Sequence, residues 1–177
     1  MNKELLAVED GAHNWSHEAL KRFRIIFKAV QQHSQQVETV TGVSSAQLWI
    51  MWELFKKPGS KVTDIANALS IHHSTASNLL NKLARKGLIN RERLGPDQRV
   101  VTVSLTPLGI EVFEKAPRPP RGVLQNALFE LRDDEIRQLV ENLDVLIDIM
   151  QVQDVDSALQ PINPLPGVSR TKKKANR

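Results

Sequence analysis

The chain contains no cysteine, so disulfides, thiolate metal sites and thiol redox sensing are excluded. A reducing cytoplasm is the compartment that fits. No run of 18 or more apolar residues is present, so no transmembrane helix is expected and no membrane is counted among the partners. The opening residues 1–14 lack the apolar stretch of a secretory signal. Also missing are a Gly-rich phosphate-cradling loop, a His-Glu-x-x-His pair and any cysteine nucleophile. The carboxylates of the last helical stretch read as its solvated face rather than as acid–base groups. Neither an enzyme nor a cofactor is therefore expected. His13, His17, His33, His72 and His73 do not share the spacing of a known metal site, and they read as surface or capping residues.

What remains is a chain of 177 residues, 41% apolar, able to bury a core. Its net charge of +4 is unevenly spread. Residues 61–105 carry seven basic and three acidic groups, residues 106–169 carry five and eleven, and residues 170–177 carry five basic groups alone. A basic middle beside an acidic region suggests one surface meant for a polyanion and one that is not.

The pattern of apolar residues is mostly helical. Residues 1–15 have no clear period and read as a flexible arm. From near Ser16, Leu20, Phe23, Ile26, Phe27, Val30 and Val37 fall on one stripe. Ser44 followed by Gln47 is a capping box, and Val43 with Leu48 can staple the start of the helix behind it. That helix runs to Pro58-Gly59 and is apolar on more than one face, as a buried helix must be. A third helix covers about Val62 to Leu69, and Ser70-Ile71-His72 is a short turn. A fourth runs from His73 to Lys86 and stops at Gly87. Two strands follow, Leu88 to Arg93 and Arg99 to Leu105, joined through Leu94-Gly95-Pro96-Asp97-Gln98. Thr106 caps a fifth helix with Pro107 at its first position. Three prolines among Pro117 to Pro120 demand a break, after which helix resumes near Gly122. A last helix runs from about Asp133 to Val152, with Ile136, Leu139, Val140, Leu143, Leu146, Ile147 and Met150 close to a 3.5-residue repeat. Residues 153–177, with Pro161, Pro164 and Pro166 ahead of the basic end, read as a disordered tail.

The chemistry lies in residues 61–109. The fourth helix has an apolar stripe of Ala76, Leu79, Leu80 and Leu83 to anchor it. Its other surface carries short polar and basic groups: Ser74, Thr75, Ser77, Asn78, Asn81, Lys82 and Arg85, of which all but Arg85 are taken as DNA contacts. Asparagine can pair with adenine edges in the major groove, and hydroxyls and lysine can serve bases or phosphates. Taken alone, this is also what an ordinary amphipathic surface helix looks like. The hairpin makes the pattern specific. Arg91, Arg93 and Arg99 lie in or beside an exposed β-ribbon, and arginine at a ribbon tip suits the concentrated negative potential of a minor groove. Asp97, two residues before Arg99, can hold that guanidinium by a bidentate pair.

These residues carry a family resemblance. Val62-x-x-Ile65-Ala66-x-x-Leu69-x-Ile71, Ser74-Thr75-Ala76-Ser77-x-Leu79-Leu80-x-x-Leu83, Arg85-Lys86-Gly87-Leu88-Ile89-x-Arg91, Asp97-Gln98-Arg99 and Leu105-Thr106-Pro107-Leu108-Gly109 together resemble the MarR family of bacterial transcription regulators. The match is continuous over about residues 61–109 and looser over 16–57 and 110–152. The resemblance implies a homodimer paired through the first, fifth and last helices, with each wing reaching DNA. It also implies a pocket between the dimer and DNA-binding regions, where small phenolic or anionic ligands release DNA. Three departures stand out. His72 and His73 replace the family's frequent Ser and Pro, Asn78 stands where Arg is common, and the proline run interrupts a helix that is usually continuous.

The expected fold is mainly α with a small β-wing: a winged helix-turn-helix over 43–105 and a helical dimerisation region over 16–42 and 106–152. The expected function is that of a sequence-specific regulator, a ligand-responsive repressor that binds a palindromic operator in double-stranded DNA as a homodimer. The alternative is an architectural or adaptor DNA-binding protein with no regulatory small molecule. Trp15, Phe23, Phe27, Trp49 and Trp52 are candidates to line a site for a small aromatic or anionic effector, although such residues are more often simply core.

Overall fold

The computed structural model describes residues 3–93 and 101–162. Helix α1 spans Lys3–Thr41, so it starts well before Ser16 and takes in the stretch that periodicity assigns to an arm. The cause is propensity. Lys3, Glu4, Leu5, Leu6, Ala7 and Glu9 are strong helix formers with no proline among them, and Gly11 costs only about 1 kcal/mol relative to alanine. An apolar stripe marks only the part of a helix that has something to pack on.

Helix α2 (Ser45–Lys56) starts at the capping box that the sequence announces. The Gln47 N–H donates to Ser44 Oγ at 3.3 Å, and the Ser44 N–H donates to Gln47 Oε1 at 3.0 Å. Val43 and Leu48, on either side of the cap, are both buried. Leu48, Ile50, Met51 and Leu54 are fully buried on several faces of α2, which packs against α1 and four later elements. It is the central post of the core.

Strand β1 (Ser60–Lys61) is a third strand that the sequence does not announce. Two residues are too few for a period. It forms because Gly59, at φ +76°, turns the chain back after α2, and its N–H then donates to Ser104 Oγ at 2.9 Å. Helices α3 (Val62–Leu69) and α4 (His73–Arg85) follow, then β2 (Ile89–Arg93) and β3 (Val101–Leu105). The sheet is antiparallel in the order β1-β3-β2, with Ser60 opposite Val103 and Ile89 opposite Leu105. Helix α5 (Pro107–Glu114) ends before the prolines, and α6 (Val123–Glu130) resumes after them, as the proline rule requires.

Helix α7 (Asp133–Ile149) stops three residues short of the expected end at Val152 and buries none of its residues. The segment expected to be wholly disordered is not so in its first part: residues 155–159 form a 3₁₀ helix (Val155–Leu159). Asp154 nucleates it, its carboxylate accepting the Ser157 N–H at 3.2 Å and its carbonyl accepting the Ser157 hydroxyl at 2.7 Å. Composition sees the prolines but not this local cap. The basic stretch 170–177 lies outside the described residues. Among the described residues, no helix is long and apolar enough to cross a membrane.

One close approach ties the wing to the helices behind it. A Cβ placed on Gly109, in the first turn of α5, would sit 2.0 Å from the carbonyl oxygen of Leu88. Only glycine lets the backbones meet there. Gly109→Ala is expected to cost about 1–3 kcal/mol as an overpacked site, read as a lower urea midpoint at unchanged slope.

Candidate nucleic-acid interface

Helices α3 and α4 pack on each other, and each buries a small residue, Ala66 and Ala76. Between them Ser70 takes a left-handed conformation (φ 52°, ψ 48°), and the Ile71 N–H returns to the Ala66 carbonyl at 3.0 Å. The turn is therefore fixed by backbone bonds. Ala76, Leu80 and Leu83 are each fully buried and hold α4 by one side.

The opposite face of α4 is open. Ser74, Asn78, Lys82 and Arg85 are exposed at successive helical turns, while Thr75, Ser77 and Asn81 are half-buried along its flanks. Six of the expected reading residues thus lie along one helix, three at the crest and three at the shoulders. Arg85 belongs to the crest and was not among the expected site residues. Its position three residues after Lys82 is the signal that places it there. No side-chain ion pair engages Lys82, Arg85 or Arg91 among the described residues, so their charge is available to a polyanion.

Helix α4 ends in a Schellman arrangement. The Leu88 N–H bonds to the Leu83 carbonyl at 3.1 Å and the Gly87 N–H to the Ala84 carbonyl at 2.9 Å, with Gly87 at φ +70°. This turn leads directly into β2, where Arg91 is exposed. Arg93 closes β2 opposite Val101. Asp97 and Arg99, the expected wing tip, lie outside the described residues. At the base of the wing, the Thr106 hydroxyl donates to the Gly87 carbonyl at 2.7 Å and accepts the Gly109 N–H at 3.0 Å. One side chain joins the end of α4, the wing and the start of α5.

A second feature lies behind the reading helix. A cleft of about 270 Å³ opens between α2, α3, α6 and the segment after α7. Its walls are mostly apolar, with Trp49, Leu69 and Leu128, and Arg121, Gln125, Ser45, Ser70 and Gln160 are its polar residues. Of the five aromatic candidates, only Trp49 lines it. Trp52 packs on the Phe113 ring at 6.0 Å, Phe23 stacks on Phe27 along α1, and Trp15 and Phe27 are exposed. Sequence reasoning passed over Arg121 and Gln125, which carry no motif.

Next to this cleft His33 is buried, and its Nε2 has no hydrogen-bond partner. Burial pushes its imidazole below the ordinary value of 6.5, against a smaller upward pull from the Pro119 backbone. A histidine held neutral in the fold takes its proton more readily once unfolded. Its stabilisation is full above the unfolded value and is lost as pH falls through it. The urea midpoint should therefore drop between pH 7 and pH 5, and His33→Gln should drop less over the same interval.

Comparison with known proteins adds the following. The sequence model of the MarR family matches residues 43–101. The HTH-type transcriptional repressor MdtR of Bacillus subtilis is 28% identical over 113 residues, covering 64% of this chain and 73% of that protein. The HTH-type transcriptional regulator BilQ of Clostridium symbiosum is 31% identical over 98 residues, covering 55% and 68%. Both are named as regulators of transcription, not as enzymes. Among solved structures, the Staphylococcus aureus MepR–DNA complex is 28% identical with a TM-score of 0.52, covering 74% of this chain and 96% of that one.

Proposed function

The chain belongs to the MarR family of DNA-binding transcription regulators, and from that premise we propose that it is a ligand-responsive repressor that binds a near-palindromic operator as a homodimer. The observation that carries this reading is the two-sided helix α4. Its apolar side is sunk in the core, and Ser74, Asn78, Lys82 and Arg85 stand clear on the other. The major groove admits one such helix. Asn78 takes an adenine edge, Ser74, Thr75, Ser77 and Asn81 serve bases and phosphates, and Lys82 and Arg85 neutralise backbone charge. Arg91 of β2 serves the neighbouring minor groove in this reading, together with Arg93, Arg99 and Asp97, which the sequence assigns to the wing.

The dimer is supported by uncovered apolar surface. Ile25 and Phe27 on α1 are 68% and 65% exposed, and Val140, Ile147 and Met150 of the α7 repeat are 50%, 46% and 63% exposed. A seam near a 3.5-residue repeat that the described residues leave partly uncovered suits a second copy of the same helices. The effector reading rests on the cleft beside Trp49, where Arg121 and Gln125 would orient the anionic or hydrogen-bonding end of a small aromatic molecule. A protein that binds DNA without any such ligand would keep its operator affinity across all candidate effectors, which separates the architectural alternative from this one.

Two measurements test the reading. Asn78→Ala should relax preference at one base pair of each half-site, at a cost of about 1–3 kcal/mol, read by selecting duplexes from a random pool. An unchanged selected sequence would remove Asn78 as a reader. Sedimentation of the free chain should give a dimer, and the bound site should have half-sites about 10 bp apart; a stable monomer contradicts the proposal.

A further inference from the structure

Residues 154–162 double back from α7 onto the reading domain. The Leu159 carbonyl accepts the His72 N–H at 3.1 Å, and Gln160 Oε1 accepts the Thr75 hydroxyl at 3.3 Å. His72 is the N-cap of α4 and makes no side-chain cap bond of its own. The strap therefore sits on the start of the reading helix. Ala158, Gln160, Pro161 and Ile162 of the same strap form one wall of the cleft beside Trp49, and Ile162 also reaches the small cavity next to His33. A single short segment thus touches both the effector cleft and the end of the helix that must enter DNA.

We propose that residues 154–162 are an autoinhibitory strap. In a helix-turn-helix, the N-terminal residues of the reading helix meet the base edges. While the Thr75 hydroxyl donates to Gln160, it cannot donate to DNA. The strap also adds exposed Asp154 and Asp156, and residues 151–162 contain no basic side chain. Carried on a segment whose Leu159 and Gln160 contact the start of α4, two carboxylates add negative charge that opposes the approach of phosphates. Release of the strap frees Thr75 and withdraws that charge. Resting on the effector reading above, a ligand in the cleft acts by holding its own wall, the strap, in the docked position.

The apparent dissociation constant of a site open only part of the time is the intrinsic one divided by the open fraction. If the strap is docked about nine-tenths of the time, releasing it tightens operator binding about tenfold. The test uses the full chain and a duplex selected by it from a random pool, with affinity read by fluorescence anisotropy. Gln160→Ala and Ile162→Asp, each checked for an unchanged circular dichroism spectrum, should bind that duplex several-fold more tightly than the parent. Because the chain has no cysteine, Thr75→Cys combined with Gln160→Cys can be joined by a short bismaleimide. The joined form should bind at least tenfold more weakly than the same variant left unjoined. Equal affinity of joined and unjoined forms, or no gain in both release variants, overturns the strap while leaving the regulator reading standing. Loss of sequence preference in the parent chain itself would overturn both.

Discussion

The arrangement depends on one buried contact: Ala76, Leu80 and Leu83 of α4 set into the apolar surface around α2. A helix cannot read a groove unless it is held rigidly by its other side. Here the holding side contains no polar group that would need a partner, so it can be fully desolvated at no hydrogen-bonding cost. The supporting helix is apolar nearly all round, which is why one short element can brace α1, α3, α4, α5 and β3 at once. The polar crest of α4 is free to vary without touching this anchor. In the proposed reading, base preference and stability are thereby carried by different residues of the same thirteen-residue helix.

Charge is organised in the same divided way. Among the described residues Lys82, Arg85 and Arg91 have no ion pair, whereas two cations of the region from α5 to α7 do. Lys115 pairs with Glu111, and Arg132 pairs with Asp134 and Glu135. Exposed pairs of this kind add little stability. Their effect is to mute part of the positive charge away from α4.

Much of this was legible in the sequence. Helix starts with a chemical signature, Ser44 with Gln47 and Thr106 with Pro107, came out where they were read. So did the stop at Gly87 and the break at Pro117 to Pro120. The two-sided character of α4 was visible because two demands, an apolar stripe and a polar crest, act on the same helix. What escaped detection lacked repetition. β1 has only two residues, the front of α1 has propensity without a stripe, and the strap is held by a carbonyl and one glutamine. The cleft was only half visible: Trp49 was named for its size, but Arg121 and Gln125 reach it through chain topology that no spacing rule encodes.

The meeting of Gly109 with the Leu88 carbonyl has a mechanical consequence. Because α5 starts directly from β3 and rests on the backbone that begins β2, there is no slack segment between wing and helical body. Any tilt of α5 must swing the ribbon with it. In the proposed dimer the separation of the two ribbons would then follow from how the bodies lean together, as the jaws of a pair of tongs follow the handles.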